Sequence, residues 1–223
     1  MVELTIEDAK VLNPNLNPEL FLPSSRDVLG AIEEGLVKEW LEFIADEHLA
    51  PKRKLLLLVP CAEKKPYEPP RSIMYKKLLE LEKRFEDLYL CAVSEPLALE
   101  PREYWSFKWK GANLIYDAPF FPWVKRYGYE WDEEVAREVW EKLAEVARKW
   151  FDRNENKFEE VVAFACPNSG YREILRLVKV NRYVPEKCPD IEVSYEENVS
   201  RVYTQPRVWK ELGEVVEGVT RTR

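Results

Sequence analysis

A group of reactive side chains directly follows the most apolar run of the chain. Residues 55–59 are leucine and valine without a polar break, Pro60 ends the run, and Cys61, Lys65 and Tyr67 come next. A cysteine thiolate is a strong nucleophile, and a neighbouring lysine ammonium favours the thiolate over the thiol. A cysteine at a strand end can equally be a small buried apolar residue, so both interpretations of Cys61 stay open.

Three apolar runs predict the strands that would position these side chains. Residues 55–59, 87–93 and 161–166 are typical of strands buried on both faces, as in a parallel sheet. Parallel strands end at the same edge, which is where open α/β sheets bind ligands. Gly170, at a predicted helix start, could also leave backbone N–H groups free for an anion. One rim is therefore expected to carry Cys61, Lys65, Tyr67, Ser94, Glu95, Asn168, Ser169, Tyr171 and Arg172.

Helices are expected between these strands. The apolar spacing predicts one helix over 27–48 capped by Asp27, one over 73–85 after Ser72, one over 133–151 capped by Asp132, and one from 169 or 170 to about 178. Residues 1–24 are predicted to be a loop or arm with a short strand at 4–6. Residues 94–130 are predicted to be loop-rich and aromatic, and the tail from 183 irregular, with one more strand or helix at 189–195 and 206–216. This alternation favours an α/β fold.

Composition limits the classes of partner. The chain of 223 residues is 46% hydrophobic and 34% charged, with a formal net charge of −7. It is therefore expected to be globular, and an RNA-binding role would need a local basic patch. Each such patch is also explained by ordinary solvated charges. The candidate patches are Lys52-Arg53-Lys54, Lys64-Lys65 with Arg71, Lys76 and Lys77, Lys108 with Lys110, and Lys125-Arg126.

Cellular location is predicted from three features. No apolar run approaches the roughly 20 residues that span a bilayer, and the acidic N-terminus lacks the basic start of a signal peptide. The four cysteines contain no C-x-x-C pair, so reduced thiols and a cytoplasmic location are expected. Abundant charged residues with a single histidine and two methionines are typical of a hyperthermophile.

Five segments, in order across residues 52–180, resemble the catalytic core of the archaeosine synthase family, which is related to archaeal tRNA-guanine transglycosylases. Residues 60–67 resemble its PCSxxKPY signature, and residues 94–103 are similar to its S-S-P-L-G-V-V-P-R-E segment. Residues 116–119, 131–134 and 170–173 resemble its Y-D-I-P, W-D-x-E and G-Y-R-E steps.

The resemblance implies a fold and a reaction. The implied fold is a three-layer α/β/α sandwich of the uracil-DNA-glycosylase-like type, with a mostly parallel central sheet. Residues 1–50 would form an N-terminal arm and helix, and residues 51–223 the α/β domain. The implied reaction adds a nitrogen nucleophile to the nitrile of 7-cyano-7-deazaguanine in tRNA, without a cofactor. Expected partners are tRNA or a 7-deazaguanine base, and a protein that supplies RNA binding.

The site residues follow from matching positions. Cys61, Lys65 and Asp117 are the predicted catalytic residues. Asp117 could hold the polar edge of a base or act as a general base, or could only cap the turn before Pro119. The aromatic segment 104–131 is expected to stack the base. The predicted substrate-binding residues are Tyr67, Ser94, Pro96, Arg102, Tyr116, Gly170, Tyr171 and Arg172. Arg102 and Arg172 could bind phosphate, or pair with Glu100 and Glu173.

Three alternatives stay open. Ala62 and Ile73 stand where the family has serine and histidine, which favours a non-catalytic paralogue that binds a modified base, RNA or a partner protein. A base-excising glycosylase is a second alternative, by analogy of fold alone. A metal site formed by Cys61, Cys91 and Cys166 is the third, although no ligand spacing supports it.

Overall fold

A computed structural model describes residues 5–121, 130–187 and 201–221. The start of the predicted strand at 4–6, the predicted element at 189–195 and the basic pair Lys125-Arg126 lie outside the described residues. So do Trp123, Tyr127 and Tyr129 of the aromatic segment.

A five-stranded, mostly parallel sheet forms the centre of the molecule. Its strands are β1 (Leu55–Pro60), β2 (Leu88–Ser94), β3 (Ala98–Pro101), β6 (Glu160–Phe164) and β7 (Arg182–Val184), in the order β3-β2-β1-β6-β7. β1 is parallel to β2 on one side and to β6 on the other, and β6 is parallel to β7. Only β3 is antiparallel to its neighbour. The prediction that the three apolar runs form parallel neighbours is confirmed.

The described residues also form α-helices and a small hairpin of β4 (Lys108–Trp109) and β5 (Ala112–Asn113). The helices are α1 (Ile6–Leu12), α2 (Ser25–Glu33), α3 (Gly35–Asp46), α4 (Ile73–Arg84), α5 (Glu133–Asn154), α6 (Gly170–Ile174) and α7 (Pro206–Arg221). α2, α3 and α5 pack on one another. α4 and α7 are joined by Lys77 over the Trp209 ring and by the Arg84–Glu217 ion pair. This mixed α/β architecture is compatible with a three-layer α/β/α fold.

The N-terminal region differs from its prediction. Residues expected to be a loop with a strand at 4–6 instead form α1, which Thr5 caps through reciprocal hydrogen bonds with Asp8. The helix predicted over 27–48 is two helices, and Ser24 rather than Asp27 caps the first, with Asp27 completing its capping box. The break lies at Gly35, whose φ of +67° is readily adopted only by glycine.

Two short strands of the central sheet, β3 and β7, were not predicted, and neither was the hairpin of β4 and β5. β3 lies within the segment predicted to be loop, and β7 at the start of the tail predicted to be irregular. Both lie at the edges of the sheet and have four and three residues, too few for an alternating pattern. Among the described residues, no helix combines the length and the hydropathy that crossing a membrane requires.

Candidate functional site

A buried carboxylate, Glu100, is the centre of the candidate site. β3 pairs with the end of β2, which places Glu100 opposite Ala92. Its side chain is only 2% exposed. Ser94 Oγ donates a hydrogen bond of 2.7 Å to Glu100 Oε1, and the Tyr116 hydroxyl donates one of 2.9 Å to the same oxygen. Burial raises the pKa of Glu100, although the charge of Lys65 and these hydrogen bonds oppose that shift.

Lys65 places a second buried charge beside this carboxylate. Its side chain is 4% exposed, and its Nζ donates a 3.0 Å hydrogen bond to the carbonyl oxygen of Ala62. The same Nζ lies 3.8 Å from the centroid of the Tyr116 ring, so one tyrosine contacts both Lys65 and Glu100. A cation over an aromatic face is stabilised by the ring quadrupole.

The loop that carries Lys65 is held by the end of α1. The side-chain oxygen of Asn13 accepts a 2.7 Å hydrogen bond from Lys65 N, and its amide nitrogen donates one of 2.9 Å to the Glu63 carbonyl. Arg71 adds a 2.7 Å hydrogen bond to the Lys65 carbonyl. The N-terminal arm is thus part of the framework of the site.

Cys61 lies where the central strand ends. Its backbone N–H donates to the Val93 carbonyl, its side chain is half-buried, and its Sγ lies 3.4 Å from the Tyr171 hydroxyl. Burial raises the pKa of the Cys61 thiol to about 11, assisted by the charges of Glu100 and Glu95 and opposed by that of Lys65. Cys61 is therefore a thiol at neutral pH, and a nucleophilic role requires a base to take its proton.

Glu95 is a second buried carboxylate, and its charge acts on the Cys61 thiol. Its Oε1 accepts a 2.8 Å hydrogen bond from Trp140 Nε1, and it is 5% exposed. Burial raises the pKa of Glu95 from 4.5 to about 7. The charges of both Cys61 and Glu95 act on Tyr171, which indicates that this hydroxyl lies near the two groups. A carboxyl that titrates near neutral pH can both accept and return a proton.

A stacked pair of tyrosines lies near Glu100, where β1 ends. The rings of Tyr67 and Tyr75 stack with centroids 3.9 Å apart, and the Tyr67 hydroxyl accepts a 3.2 Å hydrogen bond from Ala62 N. The Tyr75 hydroxyl donates to the carbonyl of Pro60. Burial raises the pKa of both phenols well above its ordinary range, so both are neutral at physiological pH.

The structure brings most of the predicted site residues together. Those that gather around Glu95 and Glu100 are Cys61, Lys65, Tyr67, Ser94, Tyr116 and Tyr171. Pro96 follows Glu95 in the buried turn between β2 and β3, and Gly170 lies against Glu95 and Trp140. A Cβ on Gly170 would lie 2.8 Å from Trp140 Nε1 and nearer still to Glu95 Oε1, so close packing explains this glycine.

The two predicted phosphate-binding arginines lie elsewhere. Arg102 pairs with Glu68 at 2.6 Å and with Glu82 at 2.8 Å, so the predicted pairing with Glu100 is wrong. Arg172 donates to the carbonyls of Ala165 and Pro185, and its guanidinium lies over the Tyr183 ring. Both guanidiniums have protein partners that hold neighbouring segments together.

Asp117 is tied to the N-terminal arm through its backbone. Its N–H donates a hydrogen bond of 3.0 Å to the Leu20 carbonyl, and its own carbonyl accepts one of 2.8 Å from Leu22 N. Its side chain is half-buried. The roles predicted for Asp117 stay predictions.

Most of the described aromatic segment belongs to the core. Trp105, Phe107, Trp109 and Phe120 are each at most 5% exposed. Trp105 packs edge-on against Tyr67 and Tyr75, and its Nε1 donates to the Glu100 carbonyl. These rings support the site from behind, and in this structure they present no open face for a base.

The sequence placed Glu95 on the predicted rim without giving it a chemical role, and Glu100 was expected only as a surface partner of an arginine. The family segment that residues 94–103 resemble has serine and valine at these two positions. Two acids within the otherwise apolar stretch Ser94-Glu95-Pro96-Leu97-Ala98-Leu99-Glu100 were the available signal. Within the described parts of the chain, no three His, Cys, Asp or Glu side chains are placed to hold a metal ion, so the three-cysteine alternative is not supported.

Comparisons with known proteins give little further information. No family model matches the chain, and no curated protein matches it. The crystal structure of AF0587, a protein of unknown function, is similar to this chain with 18% sequence identity and a TM-score of 0.45. The match covers 82% of this chain and 50% of that one, so the chain spans about half the length of AF0587.

Proposed function

We propose that this protein is a tRNA-modifying enzyme that acts on a 7-cyano-7-deazaguanine base, with Cys61 as its nucleophile. The observation that carries the proposal is a half-buried cysteine at the end of the central strand, close to two buried carboxylates and a buried lysine. Clusters of buried groups with shifted pKa values are typical of functional sites, because isolated charges are costly to bury.

The resemblance of five segments supplies the substrate class. The proposal includes the uracil-DNA-glycosylase-like fold that this resemblance implies, and the central parallel strands support it. Cys61, Lys65 and Tyr67 belong to the first of these segments, Ser94 to the second and Tyr116 to the third. Their convergence around Glu100 supports a common site.

The proposed first step is addition of the thiol across the nitrile. The sulfur of Cys61 forms a bond to the nitrile carbon, a π-electron pair of the C≡N bond moves to nitrogen, and that nitrogen takes a proton. Glu95 accepts the thiol proton and returns it to the nitrogen. An amine then adds to the thioimidate carbon and the thiolate leaves, recovering its proton and giving an amidine.

The two pKa values decide the timing of proton transfer. The pKa of Cys61 is about 11 and that of Glu95 about 7, so full transfer before attack would cost roughly 5 kcal/mol. The proton therefore leaves as the carbon–sulfur bond forms, which is general base catalysis. Tyr171, 3.4 Å from the sulfur, is placed to relay that proton.

Mass spectrometry of tRNA tests the proposal. Purified protein is mixed with tRNA that carries 7-cyano-7-deazaguanine and with ammonium, glutamine or lysine as the amine donor. The expected result is a mass increase of the modified nucleoside equal to the donor added. A partner protein that binds tRNA is included in a parallel reaction, because the net charge of −7 disfavours strong RNA binding by this chain alone.

A non-catalytic binding protein is the second candidate. Ile73 stands at the histidine position of the family and is 76% exposed at the start of α4, where it contributes neither a proton donor nor a buried contact. Measurable binding of the base without any change in tRNA mass, with every donor and with the partner present, would support this candidate and exclude the enzyme.

A further inference from the structure

We infer that Glu100 and Lys65 together bind a lactam edge, in which an N–H and a C=O group are adjacent. Glu100 Oε2 would accept the hydrogen bond of the ring N–H, and Lys65 Nζ would donate to the carbonyl oxygen. This inference deepens the proposed function and rests on it for the choice of a guanine-type base as the ligand.

One oxygen of Glu100 supplies the first observation. Oε1 already accepts from Ser94 and from Tyr116, whereas Oε2 is fully buried and no donor of the described residues meets ordinary hydrogen-bond geometry at it, although the nearby Tyr67 hydroxyl helps to lower the pKa of this carboxyl. Buried polar atoms are nearly always paired, and an unpaired one costs the full desolvation of the group. A ligand N–H at this oxygen would remove that cost.

Lys65 supplies the second observation. An ammonium has three N–H donors, and the hydrogen bond of Nζ among the described residues is the one to Ala62 O. Although the charge of Lys65 acts on Glu100, the two side chains form no direct ion pair within the described structure. Lys65 Nζ, as a donor, and Glu100 Oε2, as an acceptor, therefore lie in one buried region without bonding each other.

Tyr116 fixes the relative placement of the two groups. Its hydroxyl is 2.9 Å from Glu100 Oε1, and its ring centroid is 3.8 Å from Lys65 Nζ, so one side chain separates them. A lactam presents a donor and an acceptor on neighbouring atoms, which complements this pair. The carboxylate also favours a second N–H beside the first, as in the 2-amino group of guanine.

Calorimetric titration with free bases tests the inference without any variant at the lactam site. The titrated protein carries Cys61→Ser, so that covalent addition cannot be mistaken for binding. The bases are 7-cyano-7-deazaguanine, its analogue without the 2-amino group, and its 6-O-methyl ether, which has no lactam N–H. We expect the first two to bind and the ether to bind roughly 100-fold more weakly or not at all. Equal affinity for the ether, or no binding of any base, would overturn the inference.

Two matched substitutions in one segment locate the contact. Glu100→Gln should weaken binding of 7-cyano-7-deazaguanine roughly 10- to 100-fold, because the acceptor charge is lost. Glu95→Gln, an equally buried carboxylate five positions earlier, should leave this affinity unchanged while it impairs turnover. If the two variants bind the base equally well, the inference is wrong. Thermal melting of each variant verifies that it is folded.

The same data separate this inference from the proposed function. Lactam-selective binding without any change in tRNA mass would rule out the proposed enzyme activity but support the lactam-binding site. Turnover that is insensitive to the 6-O-methyl group would support the proposed enzyme activity but rule out the lactam-binding site.

Discussion

At the level of single residues, the most unusual feature of the site is a pair of buried acids, Glu95 and Glu100. Each is 5% exposed or less, and burial raises the pKa of each carboxyl. Their burial could not be predicted from sequence, because acids are mostly exposed in proteins and the partners that permit burial come from distant segments. Trp140, the partner of Glu95, is 45 positions away along the chain, whereas the reactive group Cys61, Lys65 and Tyr67 was evident from spacing alone.

The raised pKa of Glu95 leads us to expect that the free energy of unfolding depends on pH. Its pKa in the folded protein, about 7, lies above its ordinary 4.5, so ionisation of this carboxyl disfavours the folded state. The free energy of unfolding should therefore be highest below pH 4.5. It should fall by an amount on the order of 3 kcal/mol as pH rises through 7, because Glu95 then loses its proton. Urea unfolding between pH 4.5 and 8 measures this loss.

Glu95→Gln should flatten much of that pH profile, with a residual slope because the pKa of Glu100 is also raised. Glu63→Gln, which changes an exposed carboxylate in the neighbouring loop, is the control and should leave the profile as it is in the wild type. A Glu95→Gln profile that matches the wild type would show that Glu95 does not titrate near neutral pH.

Two connections position the site at the scale of elements. The short β3 strand folds back on β2 and carries Glu100 under Ser94, while the end of α1 holds the loop of Lys65. Neither element was predicted. α1 has seven residues, and the position of a helix this short depends on its cap and tertiary contacts more than on apolar spacing. The helix over 27–48 was predicted as one because its apolar stripe continues across the break at Gly35.

Asn13→Ala tests the link between α1 and the site loop. Asn13 is fully buried and makes hydrogen bonds to Lys65 N and to Glu63 O. Its loss would leave two backbone groups unpaired, and we expect the free energy of unfolding to fall by about 1–3 kcal/mol. Lys10→Ala in the same helix removes only a surface ion pair and should change it by less than about 0.5 kcal/mol. Equal effects in chemical denaturation would refute the link.

Gly170→Ala tests the packing of α6 on Glu95. The added Cβ would lie 2.8 Å from Trp140 Nε1 and closer to Glu95, so the site would have to shift. We expect a destabilisation of about 1–3 kcal/mol. Gly30→Ala is the matched control, since it adds a Cβ inside α2 with no atom within 4 Å and should stabilise the protein by about 0.5–1 kcal/mol. Relative to the wild type, the melting temperature should fall for Gly170→Ala and rise for Gly30→Ala. An unchanged melting temperature for Gly170→Ala would contradict this packing.

The sheet was the most predictable part of the whole molecule. Long apolar runs identified β1, β2 and β6 because a strand covered on both faces has no polar side to interrupt its pattern. Parallel order then placed Cys61 and Ser94 at one edge, as expected. The partners of Arg102 and Arg172 were not predictable in this way, because many acids and carbonyls compete for a guanidinium and only the folded chain determines which lie near.

Addition of the Cys61 thiol to a nitrile would change the mass of the intact protein, which can be measured. The wild-type protein is incubated with 7-cyano-7-deazaguanine, free and within tRNA, without an amine donor, and is then analysed by mass spectrometry with peptide mapping. We expect a thioimidate adduct on Cys61 that forms faster as Glu95 ionises near pH 7 and is absent from Cys61→Ser. Binding of the base without any adduct, or an adduct that persists in Cys61→Ser, would contradict this expectation.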